Sequence, residues 1–570
     1  MNNTVPVTPL EKIALSCSGG GYRAASFHLG ALAYLNRLHY NGRPLLERVE
    51  MLSTVSGGTI TGVVYALRKQ QGQSFSEIYN FLMEQLRTFD LIKAGIEKLD
   101  PGAVWQNPGK TKNLINAFAE LYHLHFTNGA TFADLEGELS HLKTVVFNST
   151  EFTNAIDFRF RNKAAGYCGN YYNMVQGDAA AEIRLADAIA ASSCFPGGFE
   201  PILWPDDFMH EASPAIKQIK EKKLPVSGLM DGGIYDNQGI DAILNYRKND
   251  AVPYFDLVIV SDVASPYMTP YAPFAEGLKK GFNEWTVGEI KTKSKKINLL
   301  TNAALLFLIT LLVVLPVFNG YTATFWTGLS LGLAAGFLLF LAMKAIALRK
   351  ARAGLAGFSG RLLKLVPEFY KEKLAGLKME ALSLHRVEPL LVDRLQSLVT
   401  LLMNVFLKVV RRLNYKILYA NDNYTYRRIS NLIKGLTRED FDSNSKRRSE
   451  DGAPDEKLAA NSVLLGTYDQ VVGPLISDIV ETASGFGTTL WFTEQEQLAG
   501  MLQNLVVAGE FTMCCNLLEY LEKVIYEKDS GFDALDGRVR EEITKTYELC
   551  KTDWEHFRQE PAFMVNEPKT

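Results

Sequence analysis

Cysteine is scarce in this chain: six in 570 residues, at Cys17, Cys168, Cys194, Cys514, Cys515 and Cys550. None stands in a CxxC pair and none has zinc-like spacing to a histidine, which excludes a disulfide scaffold and a zinc module. Excess charge is missing too. Sixty Lys and Arg stand against 63 Asp and Glu, a net charge of −3, so bulk electrostatics give no reason to expect a nucleic-acid partner. The stretch Met1–Ser18 has no apolar run behind a basic start and does not read as a secretory signal. Free thiols without an export signal favour a reducing, cytoplasmic setting. Histidine numbers only eight, which narrows the choice of catalytic machinery.

What is present is the composition of a folded protein, 47% hydrophobic and 22% charged. The length calls for more than one structural region. Lys12–Ser18 is a short apolar run ending in three glycines, followed by a helical pattern through Leu38. Val49–Val55 reads as a second strand running into Gly57–Gly58 and a helix over Thr59–Leu67; Thr144–Phe147 and Leu257–Ser261 are further strand candidates. Strands alternating with helices predict a three-layer α/β domain with a mostly parallel sheet.

The character then changes. Leu299–Phe318 and Tyr321–Met343 are uncharged, apolar, and each long enough to cross a hydrocarbon core of ~30 Å at ~1.5 Å per residue. Asn319–Gly320 between them is turn chemistry, so the pair predicts a transmembrane helical hairpin. A buried hairpin of a soluble core is the alternative, but two adjacent uncharged segments of this length rarely occur there. Basic clusters at Lys291, Lys293, Lys295 and Lys296 and at Arg349, Lys350 and Arg352 lie outside the hairpin, and its tip carries no charge. The positive-inside rule then puts both ends on the cytoplasmic side of a multi-pass, inner-membrane protein. The expected organisation is a catalytic domain over 1–270, a basic linker over 271–298 and the hairpin over 299–346. A helical region at 347–436, a mobile polar loop at 437–462 and a helical C-terminal region at 463–570 complete it. Within the helical region, the polar residues of Leu395–Val410 form one narrow stripe. That segment reads as a helix packed on the catalytic domain, with the membrane interface as the other option.

Three constellations carry chemistry. Ser18-Gly19-Gly20-Gly21-Tyr22-Arg23-Ala24 lies between a strand and a helix, where converging backbone N–H groups suit a phosphate or an oxyanion. Gly19-x-Gly21-x-x-Ala24 also fits a dinucleotide fingerprint, but the next strand ends in Thr54-Val55-Ser56 where that fingerprint wants an acid. No Lys-Ser/Thr pair follows the glycines, so a P-loop is excluded. Ser56, before Gly57 and Gly58, sits where a strand turns sharply into a helix and an exposed nucleophile stands; the usual glycine two positions earlier is replaced by Thr54. The third piece is Asp231-Gly232-Gly233, followed by Asp236 and Asn237, which are read as shaping the turn. Only His385 and His556 come after Asp231, both beyond the hairpin, so a Ser–Asp dyad needs less of the chain than a Ser–Asp–His triad. His28 reads as a packed helix residue and Cys17 and Cys194 as inert packing.

Together with Ala191-Ser192-Ser193-Cys194-Phe195-Pro196-Gly197, these motifs resemble the patatin-like phospholipases over roughly Ile13–Asp262. The hairpin and helical tail are similar, more weakly, to large bacterial members. The resemblance implies Ser56 as nucleophile, Asp231 as its dyad partner, Gly19, Gly20 and Gly21 as oxyanion hole, and a lipid acyl ester as substrate. Arg23, Gly58, Gly232 and Gly233 would support the site. No metal or organic cofactor is called for. The expected partners are membrane phospholipids and the bilayer, with homo-oligomerisation open and no nucleic acid. Two rival readings are a catalytically silent membrane scaffold, which Thr54 favours, and a nucleotide-binding membrane protein.

Overall fold

The computed structural model describes residues 6, 8–162, 167–209, 221, 226–247, 252–263, 285–318, 325–365, 384–450 and 455–566. Two compact units result: Met1–Thr269 with Val399–Thr570, and Pro270–Leu398.

In the first unit β1 (Ile13–Cys17) leads into α1 (Gly21–Arg37), and β2 (Val49–Val55) into α2 (Gly57–Gln70). The sheet continues through β3 (Thr144–Glu151), β4 (Ile156–Arg161), β5 (Tyr167–Gly169) and β6 (Met174–Gln176). After α3 (Leu185–Ser192) come β7 (Ile202–Trp204), β8 (Ser227–Asp231), the single turn α4 (Gly233–Asp236) and β9 (Leu257–Asp262). A last strand, β10 (Arg428–Leu432), comes from beyond the second unit.

Among the described residues the sheet order is β10-β9-β1-β2-β3-β4-β5-β6. The pairs β10–β9, β9–β1, β1–β2 and β2–β3 are parallel, and β3–β4, β4–β5 and β5–β6 antiparallel. Burial of every residue in β1 and β9 fits parallel strands covered on both faces. This is the expected mostly parallel α/β architecture, with an antiparallel flank.

One detail of register positions the site. β2 pairs with β3 up to Val55–Asn148, and β8 pairs antiparallel with β3 from Ser149–Asp231 onward. β4 occupies the other edge of β3 over Val146–Glu151. β8 therefore takes over the lane in which β2 ends, running towards it. The last residues of both strands meet head to head.

The second unit holds α5 (Val287–Phe318) and α6 (Phe325–Leu365), and α7 (Leu384–Thr400) begins in it. Lys344 Nζ donates to Asn302 Oδ1 (2.9 Å), so α5 and α6 run antiparallel side by side. The expected turn at Asn319–Gly320 lies outside the described residues, as does the start of the second apolar stretch. The linker expected at 271–298 is helical from Val287, so the cluster Lys291, Lys293, Lys295 and Lys296 is part of α5. Straight-chain lysines propagate a helix readily.

Two more expectations change. The polar segment 437–462 contains α9 (Arg438–Glu450) and α10 (Glu456–Asn461), after α8 (Leu407–Tyr419). Thr437 Oγ1 accepts from Asp440 N (3.4 Å) and Asp455 Oδ1 from Lys457 N (3.2 Å), which gives each helix an N-terminal cap. The C-terminal region is no separate body. It supplies α11 (Met501–Tyr526) and α12 (Gly537–Gln559) to the first unit, and α11 lies along α1. The crossing is close because Gly30 and Gly509 face it. A side-chain carbon on Gly30 would stand 1.9 Å from Val506 O, and one on Gly509 2.0 Å from Phe27 O.

Candidate active site

Ser56 has φ 51° and ψ −122°, left-handed backbone that a serine adopts only when its surroundings impose it. The imposing contacts are explicit. Ser56 N donates to Ser192 Oγ (2.9 Å), and Ser192 Oγ donates to Asn148 O (2.6 Å). Glycines close the rest: a side-chain carbon on Gly57 would stand 2.0 Å from Gly21 O, and one on Gly58 2.5 Å from Cys17 O. The strand-to-helix turn thus packs directly on the glycine loop of the neighbouring strand. Thr54, the departure in this elbow, is accommodated. Its hydroxyl donates to Thr59 Oγ1 (2.9 Å), and only a glycine at 62 leaves room for its methyl, 2.6 Å from where a side-chain carbon would sit.

Asp231 ends β8 and is buried. Its backbone N donates to Cys194 O (2.8 Å), Gly232 N to Ser192 O (3.3 Å), and Gly233 N to the Asp231 carboxylate itself (2.7 Å). Burial raises its pKa to about 6, opposed by the Gly233 N–H and by a side-chain hydrogen bond from Ser56. Desolvation wins, which leaves a carboxylate that is ionised at neutral pH yet basic enough to take a proton. The segment Ala191–Cys194 stitches both halves together, since Ser192 holds Ser56 and Cys194 holds Asp231.

The glycine loop faces the same place. Gly19 packs on Ser56, where an added carbon would stand 2.9 Å from Ser56 Cβ. Its amide, however, donates to Asn237 O (3.0 Å). Of the three candidate oxyanion donors, Gly20 and Gly21 at the start of α1 remain, where helix amides have no intrahelical partner.

Arg23 does not touch Ser56. Its guanidinium donates to Phe486 O (2.7 Å) and Val263 O (2.6 Å), and burial lowers its pKa to about 10. Tyr22 N donates to Thr489 O (2.7 Å), so the C-terminal loop around 486–492 backs the glycine loop. Sequence reasoning missed this partner, 463 residues away from Arg23. It also missed the role of Ser192 and Asn148. His28 bonds Ser261 Oγ (2.9 Å) and Ser18 O (3.0 Å) and is held neutral by burial, its pKa near 4. Cys17 and Cys194 are buried and their thiol pKa values raised, as inert packing requires. Asp236 accepts from the amides of Gln238 (3.1 Å), Gly239 (3.0 Å) and Asp241 (2.6 Å), and so shapes the turn behind Asp231. His556 stacks on Phe563, with ring centroids 3.9 Å apart. The side chain of His385 lies outside the described residues. Among the described residues no cluster of metal-ligating side chains occurs.

A buried serine on a strained strand-to-helix turn, beside a glycine loop and a carboxylate, defines the class of this domain. Residues 15–244 match the family model of the patatin-like phospholipases, so the chain carries a patatin-like phospholipase domain. Two solved structures of human GIVD cytosolic phospholipase A2 are similar in part. One is 13% identical with a TM-score of 0.30, covering 46% of this chain and 44% of that one. The other, in complex with methyl gamma-linolenyl fluorophosphonate inhibitor and terbium chloride, is 14% identical with a TM-score of 0.25, covering 39% and 35%. The chain therefore spans less than half the length of these structures. No curated protein matches it.

Proposed function

We propose that the chain is a membrane-anchored carboxylic ester hydrolase, of phospholipase A or lysophospholipase type, working through Ser56 and Asp231. The observation that carries this reading is the left-handed Ser56 held by Ser192 in the lane where Asp231 ends. Asp231 takes the Ser56 proton as Oγ attacks the ester carbonyl. The amides of Gly20 and Gly21 receive the oxyanion, and the proton passes to the leaving alcohol. Water, activated by the same carboxylate, then releases the fatty acid.

Anchoring rests on α5 and α6. Gly288–Pro316 and Phe325–Lys350 are long and apolar enough to cross a bilayer, and only 6% of each apolar stretch is buried. With lysines and arginines before Leu299 and after Met343, at the outer ends of the two helices, the catalytic unit would face the cytoplasm, its substrate the phospholipids of its own membrane.

Ser56→Ala and Asp231→Asn should each lower ester hydrolysis by about 10³-fold or more while the protein stays folded. A fluorophosphonate should label Ser56 and no other serine. An active Ser56→Ala enzyme ends this reading and leaves the silent-scaffold alternative. Comparing the lipids of cells expressing wild type and Ser56→Ala would then name the head group and acyl position.

A further inference from the structure

Helix α8 is amphipathic the wrong way round for a soluble protein. Its inner face is largely polar, beside one fully buried apolar side chain, Leu418: Arg411 pairs with the buried Asp262 (3.1 Å), Tyr415 donates to the same carboxylate (3.2 Å), and Asn414 donates to Asp236 (2.9 Å). Gln238 in turn donates to Arg411 O (3.2 Å). The outer face, continued from the residues just before it, carries Val405, Phe406, Val409, Leu413 and Ile417, between 40% and 57% exposed. Four of these recur every fourth residue and so form one stripe. Leu395–Val410 was expected to pack on the catalytic domain; instead most of its described large apolar side chains from Leu395 to Val409 are exposed, with Leu407 half-buried.

We infer that the outer face of α8 seats the catalytic unit itself in the surface of a lipid bilayer. The charge pattern selects that occupant. Lys408, Arg412 and Lys416 form the stripe beside the apolar one, and no acid occurs between Arg394 and Asp422. An apolar stripe rimmed by cations is how an interfacial helix meets acyl chains and anionic head groups. The orientation is productive. Parallel strands β2 and β9 end on the same edge of the sheet, so Asp262, which holds α8, lies on the edge that carries Ser56. Seating α8 would turn the nucleophile towards the lipid. This rests on the hydrolase reading for its purpose, although not for its geometry.

The test uses the full chain reconstituted in vesicles of equal parts phosphatidylcholine and phosphatidylglycerol. All six native cysteines are buried, so a fluorophore on Leu413→Cys reports that site alone. Blue-shifted emission quenched by lipid-borne quenchers is expected, with water-like emission overturning the inference. In parallel, Leu413→Ser/Ile417→Ser should leave hydrolysis of a short dispersed ester unchanged and lower hydrolysis of vesicle lipid by about tenfold or more. Unchanged vesicle hydrolysis, or loss of a dimer without lipid quenching, would assign the face elsewhere and overturn it. Wild type inactive on both substrates would sink the hydrolase reading, while the quenching result still decides where α8 sits.

Discussion

Helix α11 and the pair α5 and α6 pass the same test of length and apolar content for crossing a membrane, yet 78% of the apolar stretch in α11 is buried against 6% in the others. The difference is written in the residues that composition averages away. α11 carries buried Glu510 and Glu522, and Gly509 where the backbone of α1 approaches. α6 has glycines as well, but Gly328, Gly332 and Gly336 have nothing within 4 Å of where a side chain would begin. A glycine that another backbone touches marks a packed helix; a glycine facing open space does not.

The sharpest way to break this comparison is to fill the glycines. Gly509→Leu would force a carbon against Phe27 O, a backbone atom that cannot rotate away. It should destabilise the catalytic unit by about 3–5 kcal/mol and abolish folded protein or its cooperative melt. Gly332→Leu should leave the melt unchanged. Equal tolerance of both would mean that α11 is not a core helix.

Removing the other side of the comparison should cost less. α5 and α6 are antiparallel neighbours, so a short flexible linker between Lys296 and Lys350 can bridge the excised hairpin. The shortened chain should keep short-ester hydrolysis within about threefold and leave the membrane fraction, while hydrolysis of bilayer lipid falls sharply. Retention in the membrane as complete as wild type would move the main anchor to the stripe on α8.

A smaller effect probes how far the C-terminal region serves the chemistry. Arg23→Met removes the bonds to Phe486 O and Val263 O without touching Ser56. Turnover of a short ester should fall about tenfold with little change in KM, because the loop loses its backing rather than a substrate contact. Unaltered turnover would show that the 486–492 loop is only a neighbour.

These contrasts also mark what was legible in the sequence. The strand–glycine–helix units around Ser18 and Ser56 were readable because buried parallel strands leave continuous apolar runs, and Val49–Val55 coincides with β2. β8 and β10 were not. Ser227–Asp231 is short and contains a glycine, and Arg428–Leu432 alternates buried and half-buried side chains in five residues. Neither has the apolar run that announces a strand. The Gly19 amide was assigned to an oxyanion, but Asn237 O takes it, a long-range bond that no local pattern encodes. Leu395–Val410 was read as packed on the catalytic domain rather than at the membrane interface, because periodicity gives a face without saying which way it points.

The smallest effect separates the cost of the site from its use, through one carboxyl. Asp231 has a pKa of about 6 in the folded chain against an ordinary 3.8. The folded state holds this proton more tightly than the unfolded one, so its contribution to stability is fully present below about pH 4 and is lost as pH rises to about 6. A shift of about two units corresponds to at most about 3 kcal/mol. Asp231→Asn cannot ionise and keeps an oxygen for the Gly233 N–H, so it should melt a few degrees above wild type at pH 8. That gap should shrink as the pH is lowered through 6 and vanish near 4. Over the same interval wild-type kcat/KM on a short ester should fall about tenfold per pH unit below 6, since a protonated Asp231 cannot accept from Ser56. A melting gap independent of pH, or a rate profile flat through pH 5, would show that this carboxyl is neither strained by burial nor the base.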